Sequence, residues 1–420
     1  MKHIITLIII IGLTAFSSFG QYNKSLVQQA ENGKVSAQLE LAKCYLEGNG
    51  IDQSQLEAVK WYESAAQKGN VEAMVACGEL YCDDWNVDLE PDYVKGIEWL
   101  RKAAAKGNKK AIEYISNFDS YIKQEEADDC PFTWLPCDED FDRLEFLKEK
   151  RNLIDKEYRN NNPIAAYYLS IIAYNDKDFT KVVKYLSEIY PLVMDENNDY
   201  EDIFEQDESN IQIGATLAAK VFSLLGWCYE HGLGVNKDYI KAADYYLSEF
   251  DYTAFGMSMV PRVRGVYCYK KAKLIDKFID EVNSLKMGTG IFGTGYVSYY
   301  VPWLQIKLAE MYMVGDGVSP SKKKALEIYE SIVDQRKDLL GFLWGWYPEF
   351  RSYSDVGTAA YRASLMYKRG DGCKADEEMA DLYFQIALKY GNRSAWYESQ
   401  NKLAVLHCNN NWFVLIGHSL

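Results

Sequence analysis

One spacing constrains this 420-residue chain more than any other feature. A tyrosine is followed three residues later by glycine and, after one more residue, by a second glycine. The triplets are Tyr45, Gly48, Gly50; Tyr229, Gly232, Gly234; Tyr312, Gly315, Gly317; and Tyr367, Gly370, Gly372. Eight residues past the second glycine stands an alanine each time: Ala58, Ala242, Ala325 and Ala380. Three residues further comes a large apolar pair: Trp61-Tyr62, Tyr245-Tyr246, Ile328-Tyr329 and Tyr383-Phe384. A small residue precedes each tyrosine by three: Ala42, Gly226, Ala309 and Ser364. Four matches in register do not arise by chance. The glycines read as stops between two helices, because glycine takes the positive φ needed past a helix end. Small residues let the two helices approach, and the aromatics fill the space between units. A period near 36 residues, built of paired helices, predicts a helical solenoid.

The unit over 35–70 shows both helices in full, helix A before the loop and helix B after it. Leu39, Leu41, Ala42 and Tyr45 fall at helical spacing before the loop. Leu56, Ala58, Val59, Trp61, Tyr62, Ala65 and Ala66 form the stripe after it, and Gly69-Asn70 ends it. A second unit follows at 71–108, with Ala73, Cys77, Gly78 and Tyr81, then Gly96, Trp99, Leu100, Ala103 and Ala104. Its loop has Asp84 and Asn86 in place of the glycines and carries extra residues before Gly96.

The pattern L-A-x-x-Y-x-x-G-x-G, then A-x-x-W/Y-Y-x-x-A-A-x-x-G-[ND], resembles the Sel1-like repeat, a relative of the tetratricopeptide repeat with a longer inter-helix loop. The resemblance covers mainly 35–108, 214–250 and 301–395. It implies an all-α protein, an α/α superhelical solenoid of Sel1-like and tetratricopeptide-like helix pairs. It further implies a protein-binding scaffold of a signalling, envelope or secreted protein, here an exported bacterial-type member. The motif is specific for fold and not for activity. Some cysteine-rich relatives are linked to cell-wall peptides or β-lactams. Their within-repeat cysteine pairs are absent here, where Ala65-Ala66 and Ala103-Ala104 stand, so that association is not carried over.

The repeats divide the chain. Residues 1–20 read as a signal peptide, 21–128 as N-terminal repeats, and 129–161 as an irregular connector with a charged helix over 141–158. Residues 162–286 read as degenerate tetratricopeptide-like and Sel1-like repeats, including a helix pair from Pro163 to Pro191 and a compressed pair over 251–286. A Gly/Tyr-rich insertion spans 287–300, and C-terminal repeats span 301–395. The latter hold an aromatic insertion at 339–353, with the next helix read from Thr358. Residues 396–420 read as a cap over the exposed end of the last unit, with a terminal helix over 392–406.

The leader is read from Met1-Lys2-His3, an apolar run from Ile4 to Phe16, and Ser18-Phe19-Gly20 before Gln21. A charged start, a short apolar core and a small-x-small end describe a secretory signal. The run is short of the ~20 residues a membrane span needs. The expected location is therefore periplasmic or extracellular, with no membrane insertion after signal removal. A net charge of −15 and a pI near 4.9 argue against nucleic acid, which needs a positive surface. There are nine cysteines, an odd number. Cys130 and Cys137 are spaced to close a loop, whereas Cys44 and Cys228 read as small core residues.

Candidate chemistry is sparse. Gly288-Thr-Gly290-Ile-Phe-Gly293 matches G-x-G-x-x-G, but a helix rather than a strand is expected before it. Asp195, Asn197 and Asp199 start like a calcium loop, yet Tyr200 and Gln206 stand where glycine and glutamate are needed. His231 sits in a repeat loop and is read as exposed. His407 and Cys408 alone make no ligand set. No catalytic residue, metal site or cofactor is assigned, and the chain is read as non-catalytic; a cell-wall hydrolase is the least supported class.

The expected function is a scaffold for a protein or peptide partner, bound on the helix A surface with the two insertions as an edge contact. The partner residues singled out are Phe292, Tyr296, Phe342, Trp344, Trp346 and Tyr347. Aromatic faces bury large area at little entropy cost. The alternative is a glycan or cell-wall-fragment module using Trp344, Trp346 and Tyr347. A competing reading packs these rings back onto the solenoid as local core; under either reading the tyrosines and tryptophans at repeat positions are core.

Overall fold

The computed structural model describes residues 22–83, 86, 88–122, 138–193, 214–252, 260–284, 301–335 and 353–400. Among them there are helices and no strand. In chain order these are α1 (Lys24–Glu31), α2 (Val35–Glu47), α3 (Gln55–Gln67), α4 (Val71–Tyr81), α5 (Tyr93–Ala105) and α6 (Lys109–Tyr121). Then follow α7 (Asp138–Asp142), α8 (Leu144–Glu149), α9 (Arg151–Arg159), α10 (Pro163–Asn175), α11 (Phe179–Val193), α12 (Gly214–His231) and α13 (Tyr239–Tyr252). The last are α14 (Val260–Lys271), α15 (Ile275–Ser284), α16 (Val301–Val314), α17 (Lys322–Asp334), α18 (Tyr353–Arg369), α19 (Glu377–Lys389) and α20 (393–400). The chain forms two units. One joins Met1–Glu125 with Lys322–Leu420; the other is Glu126–Ser321.

In the first unit, α2 and α3 form the pair that the repeat predicts. α2 buries Ala37, Leu41, Ala42 and Cys44, and α3 buries Ala58, Val59, Tyr62, Ala65 and Ala66. Burying a side chain such as Leu41 or Val59 stabilises by about 1.5–3 kcal/mol. Gly48 ends α2 in the left-handed region, φ 69°. At the other end, Gly69 stops α3 with φ 89°, and Asn70 caps α4 by accepting from the Ala73 N–H at 2.7 Å. Asn108 and Asn392 cap α6 and α20 in the same way. The Gly-Asn ending thus stops one helix and starts the next.

The loop has a lock that motif spacing alone does not reveal. The residue just before helix B donates its backbone N–H to the carbonyl of the motif tyrosine. The pairs are Ser54 to Tyr45, Asp92 to Tyr81, Asp238 to Tyr229, Ser321 to Tyr312 and Asp376 to Tyr367, at 2.8–3.0 Å. The 71–108 unit keeps this bond although its glycines are missing. There the buried Asn86 side chain donates to the carbonyls of Leu80 and Asp83. Asp88 accepts from the Gln55 and Leu56 N–H groups and from the Ser54 hydroxyl, so it caps helix B of the preceding repeat.

The end of the last repeat meets the N-terminal repeats. Lys389 pairs with Glu90 at 2.8 Å, and the Tyr390 hydroxyl donates to the same carboxylate. Trp396 sets its ring edge-on to Phe118 at 5.2 Å and donates to the Leu388 carbonyl. Arg393 lies over the Tyr121 ring, and Gln400 reaches Asp119. The end expected to be covered by the tail is therefore covered in part by α5 and α6. Residues 401–420 lie outside the described residues. A second difference is at α18, which starts at Tyr353 and not at Thr358. Tyr353 is fully buried and stacks on Tyr390 at 5.6 Å, so it belongs to the helical core and not to an insertion.

In the second unit, α10 is buried on all sides, from Pro163 to Ala173. The stretch read as one charged helix over 141–158 is instead α7, α8 and α9, broken at Arg143 and Lys150. Leu147 and Ile154, on either side of the turn at Lys150, are both fully buried. Two charged clusters are buried here. Asp140 accepts from the Tyr167 hydroxyl and from Lys220, both at 2.7 Å. Glu230 on α12 accepts from Arg264 on α14 at 2.7 Å and from Tyr246 on α13 at 3.0 Å. Where glycine is absent at helix ends, Lys177 and Lys273 take φ of 58° and 60°.

Candidate functional site

A cleft of about 440 Å³ opens on the helix A face of the first unit. Leu46, at the end of α2, forms one wall. Ala76, Glu79 and Leu80 of α4 form the middle, and Tyr114 of α6 forms the far wall. Tyr62 of α3 lies beneath, and Cys82 and Asp83 close one end. Positions 76, 79, 80 and 83 recur at three- and four-residue spacing, which brings them onto one side of α4 and the turn after it. The small Ala76 leaves the depth. The volume lies within the roughly 300–1,000 Å³ of ligand pockets.

The surroundings are acidic. Glu79 pairs with Lys110 at 2.6 Å, and Glu72 pairs with Lys43 at 3.0 Å. Both pairs link neighbouring helices A. Both are solvent-exposed, so each stabilises by only about 0–1 kcal/mol. The Tyr62 phenol is pushed up to about 12, by burial first and then by the charges of Glu72 and Glu47. Among the described residues, no group of three or more His, Cys, Asp or Glu is placed to hold a metal ion.

Phe292, Tyr296, Phe342, Trp344, Trp346 and Tyr347 lie outside the described residues. So do 195–206, 288–293, Cys130, Cys137, His407 and Cys408. His231 is exposed and packs against Trp227 at 4.0 Å. The repeat residues fall into three roles. The first glycines, Gly48, Gly232, Gly315 and Gly370, all have positive φ next to the helix A end. The second glycines also have positive φ, and three of them touch the start of the preceding helix B. A Cβ on Gly234 would lie 2.3 Å from the Phe179 carbonyl oxygen; on Gly317, 2.6 Å from Ile275; on Gly372, 2.5 Å from Lys322. Ala58, Ala242, Ala325 and Ala380 are buried.

The motif tyrosines differ from expectation. Tyr45, Tyr229, Tyr312 and Tyr367 are half-buried rather than core. Tyr229 and Tyr367 stack on the helix B rings Tyr245 and Tyr383, at 5.5 and 5.6 Å. The hydroxyls of Tyr81 and Tyr367 reach Glu63 and Glu330 on the preceding helix B. Of these two, Tyr367 is half-buried and Tyr81 is buried. Sequence reasoning singled out none of Leu46, Ala76, Glu79 or Tyr114. The one available signal was an apolar Leu46 directly after a half-buried tyrosine, on the face that helix B does not cover.

The Sel1 repeat family model matches residues 35–70, 71–108, 223–248, 304–335 and 357–392. The chain carries five Sel1 repeats. The five matched Sel1 repeats are those with the tyrosine-carbonyl lock, including 71–108 with its altered loop. Sel1 repeat proteins are generally protein-interaction scaffolds and generally not catalysts. Among solved structures, the chain is similar to a Sel1 repeat protein from Oxalobacter formigenes. That pair has 16% identity and a TM-score of 0.27, covering 90% of this chain and 79% of the other. It is also similar to c5321, a protective antigen present in uropathogenic Escherichia coli strains displaying an SLR fold. There the identity is 16% and the TM-score 0.22, covering 87% and 79%. Among curated proteins, none matches the chain.

Proposed function

We propose that this chain is an exported, non-catalytic scaffold that docks a segment of another protein in the helix A cleft of its N-terminal Sel1 repeats. The observation that carries the reading is the cleft itself. It is open, about 440 Å³, and lined by the apolar Leu46, Ala76, Leu80 and Tyr114 among others. Apolar side chains entering it would leave water, and carboxylates at the edge would fix their orientation. Export is supported by the charged start, apolar run and small-x-small end of residues 1–20. No described helix is long and apolar enough to cross a membrane.

The test compares capture of native proteins by the wild type and by Ala76→Arg, which fills the cleft, with helicity checked by circular dichroism. The expected result is a partner retained by the wild type and lost by the variant. Capture of the same proteins by both would overturn the cleft as the docking site. For export, the mature protein from the native cell is expected to begin at Gln21 by N-terminal mass mapping. A chain that keeps its leader would contradict that part.

A further inference from the structure

We propose that the occupant of the cleft is a cationic-apolar segment: a large aliphatic or aromatic side chain seated between Leu46, Ala76 and Tyr114, with an adjacent Arg or Lys directed at Glu79. This rests on the docking reading above and assigns its partner class.

The inference follows from charge complementarity. The residues that line the cleft include Glu79 and Asp83 and no basic residue. Four carboxylates, Glu47, Glu72, Glu79 and Asp83, stand in and around it against two lysines, Lys43 and Lys110. Their field is felt at the floor, where Glu72 and Glu47 raise the Tyr62 phenol. Such a potential attracts cations and repels acidic segments.

The Lys110–Glu79 pair shows what the occupant's cation would do. Lys110 sets an ammonium 2.6 Å from Glu79 while its own side chain is 68% exposed. Holding that lysine there stabilises little, because both partners remain in water. A cation delivered with an apolar side chain would be held in a drier place and could take the same carboxylate. An Arg would add a second interaction, since its planar guanidinium stacks on aromatic faces such as Tyr114. The depth comes from Ala76, so the apolar anchor and the cation must be near neighbours in the segment.

The test is selection from a display library of random segments of about ten residues on the intact mature protein, with each winner then measured on Ala76→Arg. The expected winners pair Leu, Met or Phe with Arg or Lys and are depleted in Asp and Glu. A winning peptide is then measured against Glu79→Gln, which keeps shape and removes charge. Its affinity is expected to fall about tenfold, as for loss of one charge-assisted bond, and to weaken with added salt. Glu327→Gln, on α17, is expected to bind as the wild type does. Winners without basic residues, or unchanged affinity in Glu79→Gln, would overturn the partner class. If such winners still fail on Ala76→Arg, the docking site stands. If peptides bind Ala76→Arg as well as the wild type, or none is enriched, the docking site fails with it.

Discussion

At the scale of the residue, the two glycines of each loop do different work. The first needs a left-handed backbone, whereas in three of the four loops the second also needs the absence of a side chain. Gly234→Ala places a methyl 2.3 Å from the Phe179 carbonyl at a φ of 69°. The left-handed cost of about 1–2 kcal/mol then adds to overpacking of about 1–3 kcal/mol. Gly69→Ala has φ 89° and no atom within 4 Å, so only the first cost applies. Urea unfolding should therefore separate the two variants, with Gly234→Ala the less stable; equal losses would mean that the inter-repeat contact is not tight. A second test uses pH. The Tyr62 phenol titrates near 12 when folded against an ordinary value of 10. Folding thus favours the neutral phenol. Its stabilisation is complete below pH 10 and is lost as pH rises from about 10 to 12. Tyr62→Phe should flatten the stability curve in that window and leave it unchanged near neutrality.

At the scale of the element, helices in the first unit are started and stopped by short polar residues at fixed places. Asn70, Asn108 and Asn392 each cap the next helix directly after a glycine ends the last one. This was legible from the Gly-[ND] ending of the repeat. The Asp88 cap was not, because it reaches back from one repeat to the helix B of another, 33 residues away. Asp88→Ala should cost about 1–2 kcal/mol, with the extra amide exchange concentrated at the start of α3. Even exchange along the chain would show that Asp88 is not a local cap. The broken run α7–α9 was missed for a related reason. Its charges suit one solvated helix, and no glycine or proline marks the breaks at Arg143 and Lys150.

For the whole molecule, tertiary contacts tie together stretches that are distant in sequence. In the first unit, Glu90 holds Lys389 and Tyr390, and Trp396 packs on Phe118, nearly 300 residues apart. Trp396→Ala removes a large buried side chain, at a cost of about 3–5 kcal/mol. Hydrogen exchange should then rise in α5 and α6 as well as in α19 and α20. A rise confined to the C-terminal helices would mean that the contact does not couple the two stretches.

The repeat register determined the helical pairing, the loop stops, the small-residue contacts and the solenoid class. Those features depend on interactions within about 36 residues, and such interactions leave a period in the sequence. The cleft between Leu46, Ala76 and Tyr114, the second role of the loop glycines, and the meeting of α5 and α6 with the last repeat leave no period. They depend on which side chains remain uncovered once neighbouring helices have packed. The tertiary structure decided them, because exposure and charge at a site are sums over residues from several repeats.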